Sequence, residues 1–288
     1  MRALHVNRRG MSYAEQGTGT PLLLVHGSLM DQRYRAAQME PPGRHHRVVA
    51  PGLRHCWPAR WDGAGDDLTI RRHVDDVAAF IEALGAGPVH LLGHSRGGHI
   101  AFRVAQHHPD RVRALVLADP GGAFGETLRP ATQAAPAAPD QQRMPLVEAT
   151  ARAADLIRGG EVEGGVAFFV DAVNGPGAWE GMAEHLKRMH RDNARTLIGQ
   201  VNERRPPFAL ADMEAIQAPT LLVGGERSSP PFRQVLDAME RHVRGAERAA
   251  ILGAGHFMSE QEPAAFNRVV LAFLMEQSYA GSRGLPNG

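Results

Sequence analysis

Short apolar runs alternate with segments of helical spacing along most of the chain. "MSYAEQG" and "PLLLVHG" are predicted strands joined by the turn "TGT", and "HRVVAPG" is a third. In "TIRRHVDDVAAFIEALG" the apolar positions Ile70, Val74, Val77, Ala78, Ile81 and Leu84 recur at helical spacing until a glycine stops the run. "PVHLLGHS" predicts an apolar strand, "GGHIAFRVAQHHP" a small-residue helix ended by Pro109, and "VRALVLADPGG" a strand running into a turn. Later the pattern resumes: strand "PTLLVGG", helix "PPFRQVLDAMERHV", strand "ERAAILG", helix "PAAFNRVVLAFLMEQ". Continuous apolar strands alternating with helices imply a mostly parallel sheet with helices on both faces.

The middle of the chain, residues 123–207, breaks this alternation. It opens with the Ala- and Pro-rich "RPATQAAPAAPDQQRMP", expected to be irregular. Helical candidates follow in "MPLVEATARAADLIRGG", "EGGVAFFVDAVNG" and "GMAEHLKRMHRDNARTLIGQ". Their apolar faces need a surface to cover, so the segment is expected to be a helical insertion over the carboxyl edge of the sheet rather than a linker. Residues 1–122 and 208–288 would then form the core. The tail "YAGSRGLPNG" is expected to be weakly held.

The bulk numbers narrow the function classes. A chain of 288 residues fits one large α/β domain with an insertion and buries a core without staples. The single cysteine, Cys56, excludes an internal disulfide framework and fits a reducing compartment. With 32 basic and 31 acidic residues the net charge is +1, which points to no nucleic-acid or other polyanion partner. Lys187 is the only lysine, a trace of high-GC coding without functional content. The start is basic but lacks the apolar run of a signal peptide, and no stretch is long enough to span a bilayer. The expectation is a cytoplasmic monomer or homodimer with no membrane partner.

Three segments carry chemistry. Gly93-His94-Ser95-Arg96-Gly97 is a G-x-S-x-G set between a predicted strand and a predicted helix. A nucleophile there sits on a tight, strained turn, and small flanking residues relieve the crowding. Serine needs a neighbouring base, and His256 follows a late strand in the Gly-rich loop "ILGAGHFMSEQEP". His26-Gly27-Ser28 ends a strand where a backbone N–H, with that of Arg96, can cradle an oxyanion. Among the other histidines, His94 and His99 read as packing groups. The pairs His45-His46 and His107-His108 read as solvated surface. None shows metal-ligand spacing, and no nucleotide-binding pattern sits in the right context, so neither metal nor cofactor is expected.

The chain resembles the α/β-hydrolase fold superfamily over nearly its whole length: H-G after the third strand, G-x-S-x-G after the fifth, G-x-G-H after the last. The resemblance implies an eight-stranded, mostly parallel sheet with a cap inserted after strand 6. It also implies Ser95 as nucleophile, His256 as base, and Ser28 and Arg96 as oxyanion donors. One position departs from the pattern. Ser228 stands where the superfamily's acid is most common, and "GERSSPPF" resembles a subgroup whose acid follows strand 6 instead.

Two carboxylates compete for that role. Glu226 precedes Ser228 by two residues and would have to reach forward from nearer the sheet. Asp119 ends "VRALVLAD" beside the nucleophile strand, with Pro120 expected to hold it extended and Gly121-Gly122 to let the chain turn away. Asp119 is the expected acid and Glu226 the alternative.

The expected activity is a cofactor-free serine hydrolase cleaving a small ester or related acyl compound. Lactone, amide and carbon–carbon substrates remain within the same chemistry, whereas a dehalogenase would need a carboxylate at position 95. The rivals are a non-catalytic ligand-binding protein with a degenerate triad, which Ser228 keeps in play, and a cofactor-independent oxygenase using the His–Asp pair. Phe124, Phe168, Phe169, Trp179, Met182 and Met258 hint at an apolar acyl or aryl site. Asp66 and Asp67 in "WDGAGDD" are candidates for a cation or a solvated turn. Leu53-Arg54-His55 has no local partner.

Overall fold

The computed structural model describes residues 2–61, 63, 68–123, 144–201, 203 and 205–282, the last five by backbone alone. Its strands are β1 (Arg2–Val6), β2 (Arg9–Gln16), β3 (Pro21–Val25), β4 (Arg47–Pro51), β5 (Val89–His94), β6 (Val112–Ala118), β7 (Thr220–Gly225) and β8 (Glu247–Ile251). They form one eight-stranded sheet in the order β1-β2-β4-β3-β5-β6-β7-β8. The pairs β1–β2 and β2–β4 are antiparallel and all later neighbours are parallel. The helices before the middle segment are α1 (Glu40–Gly43), α2 (Ile70–Leu84) and α3 (Arg96–His107). Between β6 and β7 lie α4 (Leu146–Arg158), α5 (Val162–Asn174), α6 (Glu184–Asp192), α7 (Thr196–Gln200) and α8 (Leu210–Glu214). α9 (Pro230–His242), α10 (Met258–Gln261) and α11 (Pro263–Ser282) complete the chain.

Strand alternation divides the core in two. Leu23, Val25, Leu91, Leu115, Leu117 and Leu222 pack against α2, α3 and α9 on one face. Leu22, Leu24, Val48, Leu92, Val116 and Val223 meet Phe266, Val270, Phe273 and Leu274 of α11 on the other. α2 starts where the Thr69 hydroxyl accepts the Arg72 amide at 3.2 Å and ends at Gly85 in the left-handed region.

A third apolar cluster lies outside the sheet. Ile157, Val170, Met189 and Leu197 from the middle helices, with Trp179 and Met182 from the connection between α5 and α6, meet Leu29, Met30 and Tyr34 after β3 and Phe257 after β8. Asp31 adds a polar tie, accepting Asn193 Nδ2 at 2.7 Å while also paired with Arg33.

Several local expectations change. β1 was not predicted, because "RALHV" is mostly exposed and shows no buried alternation. The helix expected over "GMAEHLKRMHRDNARTLIGQ" divides into α6 and α7 at Asn193, whose amide caps Met189 O and Asp31. α11 continues to Ser282, into the first residues of the tail expected to be weakly held, and residues 283–288 of that tail lie outside the described residues. His46 is buried rather than solvated, edge-on to His90 at 5.3 Å. Among the described residues no helix is long and apolar enough to cross a membrane.

The sheet order reverses between β3 and β5: the chain leaves β3 for β4 on one side and returns to β5 on the other. The carboxyl ends flanking such a reversal open a crevice. His26-Gly27-Ser28 and Ser95 sit there.

Candidate active site

Ser95 occupies the sharp turn between β5 and α3, with φ 55° and ψ −121°. That left-handed backbone holds because its neighbours lack side chains. A Cβ on Gly93 would fall 2.2 Å from Gly97 O, and one on Gly97 would fall 2.3 Å from His26 O. The Ser95 amide donates to Ala118 O at 3.0 Å, and the Gly121 amide donates to Ser95 O at 2.9 Å. The turn is thus tied on both sides to the end of β6. Arg96 opens α3, where the first backbone N–H groups have no acceptor within the helix.

The end of β3 presses on this turn. A Cβ on Gly27 would lie 3.0 Å from Ser95 Cβ. His26 fixes the local path as a neutral imidazole: Nδ1–H donates to Gly27 O at 2.9 Å, and Nε2 accepts the Leu53 amide at 3.0 Å. Burial pushes its pKa down to about 4, in keeping with one donating and one accepting nitrogen. Ser28 follows, its hydroxyl donating to Gln200 Oε1 of α7 at 3.0 Å.

His256 is brought against Asp119. Nδ1 lies 3.1 Å from Asp119 Oδ2, and both side chains are buried. Asp119 reaches across β7, where Gly224 leaves room: a Cβ there would sit 3.4 Å from Oδ1. Gly225 plays a similar part for the histidine loop, since its Cβ would lie 2.3 Å from Gly255 O. Asp119 is not extended as expected; its φ is 41°. The preference imposed by Pro120 is overcome because the Asp119 amide stays in the ladder with Val223 O at 2.9 Å while the chain turns to Gly121, held by Ser95 and by His99 Nδ1–H on Gly121 O at 2.9 Å. Ser228 is buried and donates its hydroxyl to Asp119 Oδ2. Glu226 is exposed and turned away, accepting the Gly253 amide at 2.8 Å.

Rings clamp the His256 imidazole. Phe232 of α9 stacks on it at 3.9 Å with an interplanar angle of 14°, and His94 lies at 4.6 Å. His94 Nε2–H donates to the His256 carbonyl at 2.8 Å, and burial keeps its pKa well below the ordinary histidine value. Sequence reasoning treated His94 as packing and passed over Phe232. Neither contact has a local signal, because each joins separate elements.

Ser28, Ser95, Gly121 and His256 border one cleft. Phe169, Val170, Val173 and Asn174 of α5 and Leu146 and Thr150 of α4 border it as well. Of the aromatic and methionine residues expected to line a site, Phe169 does so. Trp179, Met182 and Met258 are core, Phe168 lies against Arg152 at 4.8 Å, and Phe124 lies outside the described residues. Asp66 and Asp67 also lie outside them. Among the described residues no group of three or more His, Cys, Asp or Glu is placed to hold a metal ion. The Arg96 side chain turns away beneath the helix to a buried ion pair with Glu203 and to Leu68 O. Arg54 finds a distant partner in Asp76, with Nε–Oδ2 at 2.7 Å.

The model of the alpha/beta hydrolase family matches residues 22–269. The chain belongs to that family. This hydrolase-family chain is 28% identical over 275 residues to lipase LipV of Mycobacterium tuberculosis, covering 90% of this chain and 93% of that one. A hydrolase from Pseudomonas aeruginosa superposes with a TM-score of 0.76 at 23% identity, over 95% of this chain and 97% of the other. A thermophilic esterase from Thermogutta terrifontis gives 0.75 at 22% identity, over 96% and 98%. These two structures share the fold.

Proposed function

We propose that the chain is a serine hydrolase of small esters or related acyl compounds, acting through Ser95, His256 and Asp119. Ser95 Oγ attacks the acyl carbonyl while His256 Nε2 takes its proton. The oxyanion of the tetrahedral intermediate accepts hydrogen bonds from the Ser28 and Arg96 backbone N–H groups; losing one such donor typically costs about 10²–10³ in rate. His256 returns the proton to the leaving alkoxide, and water, activated by the same imidazole, hydrolyses the acyl-enzyme. Asp119 holds the Nδ1–H tautomer and stabilises the imidazolium. The reactants are a side-chain hydroxyl, the substrate and water, so the cycle itself calls for no cofactor.

The observation that carries this reading is the His256–Asp119 contact of 3.1 Å at the sheet edge that also bears the strained Ser95 turn. Ser228, which kept a degenerate scaffold in play, donates to Asp119 and leaves the carboxylate in contact with His256. The names of the relatives, a lipase and an esterase, agree with acyl transfer. In the same reading residues 123–207 form a cap on the core made by 1–122 and 208–288, and α4 and α5 shape the acyl site.

The test is a series of p-nitrophenyl esters of rising acyl length assayed with wild type and Ser95→Ala. Wild type is expected to turn over at least the short esters, and Ser95→Ala to retain less than about one per cent of the rate. Equal rates in the two proteins would remove Ser95 from the chemistry.

A further inference from the structure

Almost every side chain bordering the cleft is apolar or neutral, with one exception. Arg205 borders it together with Ser95 and Gly121, and among the described lining residues it is the one that carries a fixed charge. His190, also on the lining, stays neutral because burial lowers its pKa to about 4.

Arg205 is incompletely neutralised. Its Nε donates to Glu203 Oε2 at 3.2 Å, but the same oxygen also receives Arg96 Nη1. The other oxygen, Glu203 Oε1, takes the Ile70 amide. Among the described residues two guanidinium groups therefore share one carboxylate whose oxygens are already engaged, and one positive charge is left over. Arg96 points inward, to Leu68 O and Glu203, and is almost fully buried. The surplus thus resides on Arg205, whose side chain is 27% exposed and whose Nη1 and Nη2 bond no described residue. Burial and the neighbouring Arg96 lower its pKa to about 10, which leaves it cationic at neutral pH.

A planar cation whose Nη1 and Nη2 have no partner among the described residues, in a lining otherwise without fixed charge, fits a carboxylate, which it can grip with paired hydrogen bonds. Binding sites of this kind combine a mainly apolar wall with a few polar groups that fix orientation. We propose that Arg205 selects acyl substrates that carry a carboxylate besides the bond to be cleaved, seating that carboxylate on Nη1 and Nη2 while the hydrocarbon portion lies along Phe169, Val170 and Val173. The proposal rests on the hydrolase reading for its reaction, and it adds the substrate class: half-esters of dicarboxylic acids, or esters of hydroxy acids.

The experiment pairs anionic and neutral esters of matched shape. Monomethyl adipate against methyl hexanoate places the charge on the acyl side, and butyryl glycolate against ethyl butyrate places it on the alcohol side. Turnover is followed by pH-stat in wild type, Arg205→Gln and Arg205→Lys. One of the two pairs is expected to show a kcat/KM at least tenfold higher for the anionic ester, and that pair identifies the side that bears the carboxylate. The ratio should fall at least tenfold in Arg205→Gln and be partly kept in Arg205→Lys. It should also shrink in wild type as salt is raised, because an incompletely buried ion pair is screened. Calorimetric binding of the same pairs to Ser95→Ala separates this claim from the hydrolase reading. Preferential binding of the anionic ester without turnover in wild type would keep the Arg205 site and sink the reaction. Turnover with no anionic preference, or a ratio unmoved by Arg205→Gln, would overturn the Arg205 site and leave the reaction standing. If Arg205→Gln fails to fold, the salt dependence in wild type decides: an anionic preference indifferent to salt contradicts the proposal.

Discussion

Ser228 donates its hydroxyl to Asp119 Oδ2, the same oxygen that faces His256 Nδ1 at 3.1 Å. The turn after β7 therefore supplies a hydrogen-bond donor to a carboxylate from the end of β6. The Ser228 donor fixes the position of one oxygen of this buried carboxyl group. It also restrains the Asp119 side chain, whose other oxygen has no hydrogen-bond partner among the described residues.

Three substitutions are expected to rank in a fixed order. Asp119→Asn keeps the shape but favours the wrong imidazole tautomer, and should cut kcat by up to about 10⁴. Ser228→Ala removes one hydrogen bond to Asp119 but leaves the carboxyl group against His256, and should cost less than about tenfold in kcat. Glu226→Gln should leave kcat nearly unchanged, because its carboxylate engages Gly253. Steady-state kinetics on one ester decides the order; a larger loss for Glu226→Gln than for Asp119→Asn would move the acid into the turn after β7.

Phe232→Leu should weaken catalysis in a protein that still folds. The ring stacks on His256 at 3.9 Å, and an aromatic pair contributes about 0.5–1.5 kcal/mol beyond its buried area. That contact steadies the imidazole as it gains charge, so kcat/KM is expected to fall by roughly three- to tenfold, measured below the lowered melting temperature that loss of a buried ring brings. A kcat/KM within experimental error of wild type would mean that the stack has no part in the reaction.

Acid should unfold the protein early. His26, His73, His90, His94, His99 and His190 are all buried, and burial lowers each pKa: His26, His90 and His190 to about 4, His99 to about 3, and His73 and His94 well below the ordinary value. Below about pH 6.5 the unfolded chain binds protons that the folded chain refuses, so stability falls with pH through that window. One unit lower the six rings together remove up to about 8 kcal/mol, comparable with the roughly 5–15 kcal/mol that a domain has in total. Urea melts at pH 7.5, 6.5 and 5.5 should show a steep drop over the last step. A midpoint that stays level from pH 7.5 to 5.5 would mean that these rings accept protons in the fold.

Much of the sheet is legible because "PLLLV", "ALVLA" and "LLVGG" are apolar without interruption, as strands buried on both faces must be. The edge strand β1 is not, since its Arg2, Ala3 and His5 have nothing to bury. A strand ending in Asp-Pro-Gly-Gly singles out Asp119, which does lie against His256, but not its backbone: the rule for residues before proline is local, and the turn is held by Ser95, Val223 and His99. His45-His46 reads as a polar surface pair, but only His45 is exposed; His46 is buried edge-on to His90, a contact from another element that the pair does not signal. Arg205 stands in the charge run "NERRPP", and nothing there says which cation is left unbalanced. That depends on Arg96, 107 residues before Glu203.

The most direct test of the central claim is to treat the protein with a fluorophosphonate and map the adduct by peptide mass spectrometry. Such a reagent captures a serine only where a base and an oxyanion site act on it together. One adduct per chain is expected, on Ser95, formed at a rate that drops by orders of magnitude in Asp119→Asn and His256→Ala. An adduct on another serine, or ester hydrolysis by a protein that takes up no label, would contradict it.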